Sequence, residues 1–129
     1  MSTNEIYKPK SYINASKGLK KEVCNGCGPG GWKFDLIPDT IYGLSITEAC
    51  NVHDWMYYEG KTKDDKRRAD RIFLENVLWI IDNYYSKSKA WYKGLMRWLR
   101  RRRAYKYYEA VADFGNSAYE KGKKADGNS

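Results

Sequence analysis

The run Ala49-Cys50-Asn51-Val52-His53-Asp54-Trp55-Met56-Tyr57 sets the only histidine of this 129-residue chain beside a carboxylate and three residues after a cysteine. On a helix Cys50, His53 and Tyr57 share one face, while Asp54 sits about 100° round from His53. Two adjacent side chains can then do different work, an imidazole moving a proton and a carboxylate binding a charge. Upstream, Cys24-Asn25-Gly26-Cys27-Gly28-Pro29-Gly30-Gly31-Trp32 holds four glycines in six residues, which forbids a stable helix and favours a tight loop with positive φ. Such a loop turns several carbonyls toward one point, the oxygen-rich arrangement taken by hard cations such as Ca²⁺. Asp54 would add the charge and the loop the neutral oxygens.

Other elements must hold these groups in place. Residues 63–84 read as an amphipathic helix in which Asp70, Phe73, Val77, Ile80 or Ile81, and Tyr84 recur at spacings of three and four. Asp70 therefore lies on an otherwise apolar stripe and needs a partner, which an imidazole N–H on an antiparallel neighbouring helix would supply. The turn Glu59-Gly60-Lys61-Thr62-Lys63 is short enough to make the two helices such neighbours. The expected elements are a loop at 24–32, helices near 46–59 and 63–85, and a closing helix near 95–121.

In these motifs the chain resembles the phospholipase A2 superfamily. CGPGG is similar to that family's calcium loop, CNVHDWMY to its Cys-x-x-His-Asp-x-x-Tyr helix, and KRRADRIF to the Ala-Asp-x-x-Phe segment of its bacterial, invertebrate and parvoviral members. Tyr105 to Gly115 resembles the closing helix of the bacterial members, and Pro38-Asp39 through Gly43 also fits the small forms. The resemblance runs from about Cys24 to Gly115, with the motifs in the family's order. It implies a mainly α, phospholipase A2-like fold, two antiparallel catalytic helices with an N-terminal calcium loop. The domain spans 24–121, after an N-terminal segment 1–23 and before a flexible tail 122–129.

The implied activity is calcium-dependent hydrolysis of the sn-2 acyl ester of glycerophospholipids. His53 would be the general base acting on water, Asp70 would orient it and stabilise its charged form, and Tyr57 would hydrogen-bond Asp70. Asp54 would bind Ca²⁺ with both oxygens beside carbonyls of Gly26, Gly28 and Gly30, and the Gly28 N–H would help hold the oxyanion. The resemblance pairs Cys27 with Cys50 and leaves Cys24 outside the bridge. The chain departs from the classical secreted members, which have two adjacent cysteines before the histidine and many disulfides. In some bacterial relatives an upstream aspartate replaces part of the loop, making Asp35 a second-choice ligand.

Other readings explain some of the same residues. Cys24-x-x-Cys27 followed by Cys50-x-x-His53 has the ligand types and spacing of a structural Cys₃His zinc site, but leaves Asp54, Asp70 and the glycine pattern unexplained. A catalytically silent membrane- or partner-binding module on the same scaffold is a third possibility. Taken singly, a helical histidine, a glycine-rich turn and a tyrosine, one of 12 in the chain, are ordinary structural residues. Their ordered combination carries the functional reading.

Composition suits one small domain, since 42% hydrophobic and 16% aromatic residues argue against disorder. The apolar cluster Val77-Leu78-Trp79-Ile80-Ile81 is too short to span a bilayer. MSTNEIYKPKSYINASKG shows no signal-peptide core, which leaves export by another route, a removed leader, or residence inside the cell. The net charge of +8 is concentrated: Ser86 to Lys106 holds nine basic residues and no acid, against 15 basic and 16 acidic elsewhere. Arg100, Arg101, Arg102 and Arg103 are spread about 100° apart on a helix and cannot share one face. With Trp91 and Trp98 they read as a collar that meets an anionic phospholipid surface. Phosphate neutralisation and base stacking on nucleic acid and a plain solvated helix are the alternatives. The lipid reading follows from the resemblance of the rest of the chain, which makes nucleic acid the less expected partner.

Overall fold

A computed structural model of the chain describes residues 5–24, 38, 40–85 and 92–125, with only the backbone at 85, 92–93 and 114–125. These residues form a mainly helical protein, as expected. The elements are α1 (Lys10–Asn14), α2 (Lys17–Val23), β1 (Thr40–Ile41), β2 (Leu44–Ser45), α3 (Thr47–Glu59), α4 (Lys63–Tyr85) and α5 (Tyr92–Ala125).

The turn before α4 sets the pairing of the two central helices. Thr62 Oγ1 accepts the Asp65 N–H at 3.1 Å, while Asp65 Oδ2 accepts the N–H groups of Lys61 at 2.8 Å and Thr62 at 3.2 Å. This reciprocal cap satisfies donors that a helix start leaves unpaired. The same bonds, first from Lys61 and then from Thr62, hold the Asp65 carboxyl below its ordinary value. At the other side of the turn α3 ends at Gly60, whose N–H closes on Met56 O at 2.9 Å. With three residues between them, α3 and α4 pack as antiparallel neighbours.

Helix α3 is buried on almost every side, from Ala49 and Cys50 through Val52 to Tyr57, because two apolar clusters meet on it. One joins Ala49 and Cys50 to Phe73, Val77 and Ile81 of α4, Ala104, Tyr107 and Val111 of α5, Ile41 of the hairpin and Ile46 at the start of α3. The other joins Val52, Trp55, Met56 and Tyr57 to Ala69 of α4 and to Ile6, Tyr12 and Val23. The residues before Cys24 thus pack against α3. Ser16 caps α2 by accepting the Leu19 N–H at 3.1 Å, and the buried Asn76 amide both accepts the Tyr7 N–H (2.9 Å) and donates to Tyr7 O (3.1 Å).

The β1–β2 hairpin pairs Thr40 with Ser45 and Ile41 with Leu44. Its two-residue turn puts Tyr42 at φ 49° and Gly43 at φ 83°, the doubly left-handed turn that matches strand twist. Glycine occupies such a position without strain, whereas tyrosine does so at some cost. Arg100 of α5 clamps this turn, donating from Nε to Ile41 O at 3.1 Å and from Nη2 to Tyr42 O at 2.5 Å. Tyr107 donates to Thr40 O at 3.0 Å.

Helix α5 is longer than the expected 95–121 at both ends. Its start lies three residues before Leu95 and takes in Gly94, which lowers helix propensity without forbidding the helix.

Arg100→Gln should destabilise the protein by about 3 kcal/mol, the scale of charged hydrogen bonds lost from buried carbonyls. Exposed Arg102→Gln should lie within about 0.5 kcal/mol of the parent. Urea unfolding midpoints of the two variants measure the difference.

Candidate active site

The seam between the two apolar clusters holds the expected acid–base pair. His53 Nε2 lies 2.8 Å from Asp70 Oδ1, with His53 5% and Asp70 2% exposed. Residues 53 and 70 sit at similar distances on either side of the α3–α4 turn, so the antiparallel pairing brings them opposite each other. The His53 ring is held between Tyr57 and Phe73, with ring centroids 4.3 Å and 4.9 Å away. Tyr57, four residues on, donates its hydroxyl to Asp70 Oδ1 at 2.6 Å.

Asp70 Oδ2 has a partner that sequence reasoning missed. Lys66, one turn earlier on α4, places Nζ 2.6 Å from it. The same ammonium donates to Val111 O at 3.1 Å and Ala112 O at 3.4 Å on α5. An ammonium has three N–H donors, and here three acceptors meet them. Lys66 is only 3% exposed, a depth at which lysine requires such pairing. The signal was present in the sequence: Lys66 continues the stripe of Asp70, Phe73 and Val77 back by one turn.

Burial by itself would push the Asp70 carboxyl up. The hydrogen bond and charge of His53, followed by the hydrogen bonds of Lys66 and Tyr57, outweigh that effect and hold it below its ordinary value. Asp70 is thus a carboxylate at neutral pH and only accepts. It follows that Nε2 of His53 carries the hydrogen facing it, and that the Nδ1 lone pair is the position able to take a proton.

Asp54, next to His53, is 6% exposed. A carboxylate at that depth needs compensating charge, and its hard oxygens suit a calcium ion. Gly26, Gly28 and Gly30, expected to supply carbonyls, lie outside the described residues, as do second-choice Asp35, Cys27 and Trp91. Among the described residues no three His, Cys, Asp or Glu side chains gather as a metal-binding group. Any ion at Asp54 would therefore draw its remaining oxygens from backbone, water or residues outside that set. Cys50 is fully buried and disulfide-bonded, while Cys24 is a half-buried thiol.

The basic run does not act as one unit. Arg100, expected at a lipid-facing surface, is turned inward onto the hairpin carbonyls and is 9% exposed. Arg101, expected in the same group, makes a two-pronged pair with Asp82 at 2.8 Å to both oxygens. Arg102, Arg103 and Trp98 face solvent. The helical advance of 100° per residue separates these environments.

The chain matches no family model, no curated protein and no solved structure. Any functional reading thus stands on the motifs and on this geometry.

Asp70→Asn should cost roughly 3–5 kcal/mol at pH 7, because it leaves the Lys66 ammonium buried without its counter-charge. A depressed carboxyl stabilises the fold above its unfolded value and loses that contribution as pH falls through the folded one. The gap between parent and variant in urea midpoint should accordingly narrow from about pH 4 downward. A constant gap down to pH 2 would show that the Asp70 charge contributes nothing.

Proposed function

We propose that the chain is a calcium-dependent phospholipase A2 that hydrolyses the sn-2 acyl ester of glycerophospholipids through a His53–Asp70 dyad and water. The observation that carries this reading is the buried 2.8 Å contact between His53 Nε2 and Asp70 Oδ1, with Asp54 as the adjoining buried carboxylate. Water is the nucleophile, and no serine is required.

The groups divide the work. His53 Nδ1 removes a proton from water as the oxygen attacks the ester carbonyl, and the imidazolium then gives it to the departing alkoxide. Asp70 fixes the ring through Nε2–H and balances the charge that His53 acquires, as the carboxylate of a Ser-His-Asp triad does. Tyr57 and Lys66 hold both Asp70 oxygens and so hold the ring's partner still. Asp54, with carbonyls of Gly26, Gly28 and Gly30, would hold Ca²⁺, and the Gly28 N–H would face the oxyanion. When bound, the ion supplies Lewis-acid polarisation of the ester carbonyl and charge stabilisation of the oxyanion.

The bridged state of Cys50 favours this reading over the Cys₃His zinc site, because a disulfide sulfur is not the thiolate that zinc takes. The helix-on-helix architecture agrees with the phospholipase A2-like fold of two antiparallel catalytic helices. The expected Cys27–Cys50 bridge would tie the calcium loop to α3. Peptide mapping of unreduced protein should find that bridge, with Cys24 alkylated without prior reduction; a Cys24–Cys27 bridge would contradict it.

Vesicles of mixed phospholipids should release fatty acid in the presence of Ca²⁺, stop on chelation and resume when Ca²⁺ is restored. His53→Gln should lower turnover by about 10²- to 10⁴-fold, the scale of general-base catalysis, while calcium binding measured calorimetrically persists. Asp54→Asn should lose the calcium response instead. Release indifferent to Ca²⁺, or undiminished in His53→Gln, would overturn the proposal, and no release would leave a silent binding module.

A further inference from the structure

The outer face of α5 is an exposed feature that the dyad does not use. Leu95, Trp98, Arg102 and Tyr105 follow one another at spacings of three, four and three, and so lie on one side of the helix. Leu95 is 62%, Trp98 55% and Tyr105 47% exposed. The opposite side buries Arg100, Ala104, Tyr107 and Val111, so the outward stripe is fixed by how α5 packs. The Arg102 guanidinium lies over the Trp98 ring at 5.5 Å, placing a cation in the middle of the apolar stripe.

Beside this stripe, Tyr42, Leu99, Arg102, Arg103 and Lys106 line a groove of about 300 Å³. Among the described residues three cations and no carboxylate line it, although Glu109 comes within 4.0 Å of Lys106. One wall is built from within. Arg100 holds the turn carbonyls, the turn presents the Tyr42 ring, and Arg103 lies over that ring at 5.1 Å while donating to its hydroxyl at 2.9 Å. On the far flank Arg97 and Arg101 are occupied by Asp82. The sequence run of arginines is thereby sorted into ion-paired, structural and outward-facing members.

We propose that this face of α5 docks on an anionic phospholipid bilayer, with lipid phosphates entering the groove of Arg102, Arg103 and Lys106 while Leu95 and Trp98 insert at the headgroup level. The choice of lipid rests on the phospholipase reading together with charge complementarity and the exposed aliphatic and indole groups. Leu95 offers nothing to a nucleic acid, which wants stacking rings and cations, whereas apolar anchors flanked by basic groups are the pattern of interfacial helices. Among the described residues no helix is long and apolar enough to cross a membrane, so the contact is with the surface.

Binding of the full chain to vesicles of phosphatidylserine and phosphatidylcholine, without Ca²⁺ and in the His53→Gln background, separates docking from hydrolysis. Replacing Arg102, Arg103 and Lys106 together by Gln should weaken binding on the order of 100-fold, from the per-residue contribution of basic groups at an anionic surface. Arg97→Gln with Arg101→Gln should change it only a few-fold. Trp98→Ala should weaken binding to anionic and neutral vesicles by the same factor, and bromine-labelled lipid should quench tryptophan emission less in that variant than in its parent. Circular dichroism and melting of each variant establish that the fold persists. In the catalytic background, the triple substitution should leave hydrolysis of a monomeric, water-soluble ester unchanged. Equal losses for the groove and the Asp82-paired arginines, no binding to anionic vesicles by the starting protein, or loss of duplex nucleic-acid binding with vesicle binding intact would each overturn the proposal. Intact docking with no hydrolysis by the unsubstituted chain would refute the phospholipase reading and leave the docking face standing.

Discussion

A carboxylate sealed from water has to be neutralised where it stands, and the arrangement of this protein's helices around Asp70 follows from that requirement. His53, Tyr57 and Lys66 all donate to it, two from α3 and one from its own helix. Removing charge from water costs several kcal/mol per ion unless geometry and hydrogen bonds compensate. The compensation here is complete on both oxygens. Lys66 carries the constraint further, since its remaining hydrogens reach Val111 and Ala112 of α5. One ion pair therefore ties together the three long helices.

That coupling gives α5 two distinct sides. Its inner side closes the apolar cluster with Ala104, Tyr107 and Val111 and supplies the acceptors for Lys66. Its outer side carries the exposed stripe and cations. Between them Arg100 links the helix to the hairpin through the carbonyls of Ile41 and Tyr42, and β2 leads directly into α3. The catalytic reading and the surface reading thus share one scaffold, in which the same helix holds the acid–base pair in place and presents a face to the surroundings.

Much of this was legible in the sequence where helical period and local chemistry agree. The bounds of α4 follow from its stripe, and the His53–Asp70 contact follows from an acid on an apolar stripe plus a short turn. Lys66 was not read because a lysine in a charged stretch is ordinarily solvated; only its position four residues before Asp70 distinguishes it. Arg100 escaped for a related reason, since its role depends on hairpin carbonyls 58 and 59 residues away. Helices α1 and α2 are too short for a periodic signal, and their packing on Trp55 and Val52 is a tertiary effect.

Hydrolysis in oxygen-18 water tests the central claim most directly, using a phospholipid whose two acyl chains differ in mass, with Ca²⁺ present. Attack by water activated at His53 predicts release of the sn-2 fatty acid alone, carrying one labelled oxygen in its carboxyl group, and an unlabelled lysophospholipid. Release of the sn-1 chain, label in the lysophospholipid, or an acyl group trapped on the protein would contradict the account.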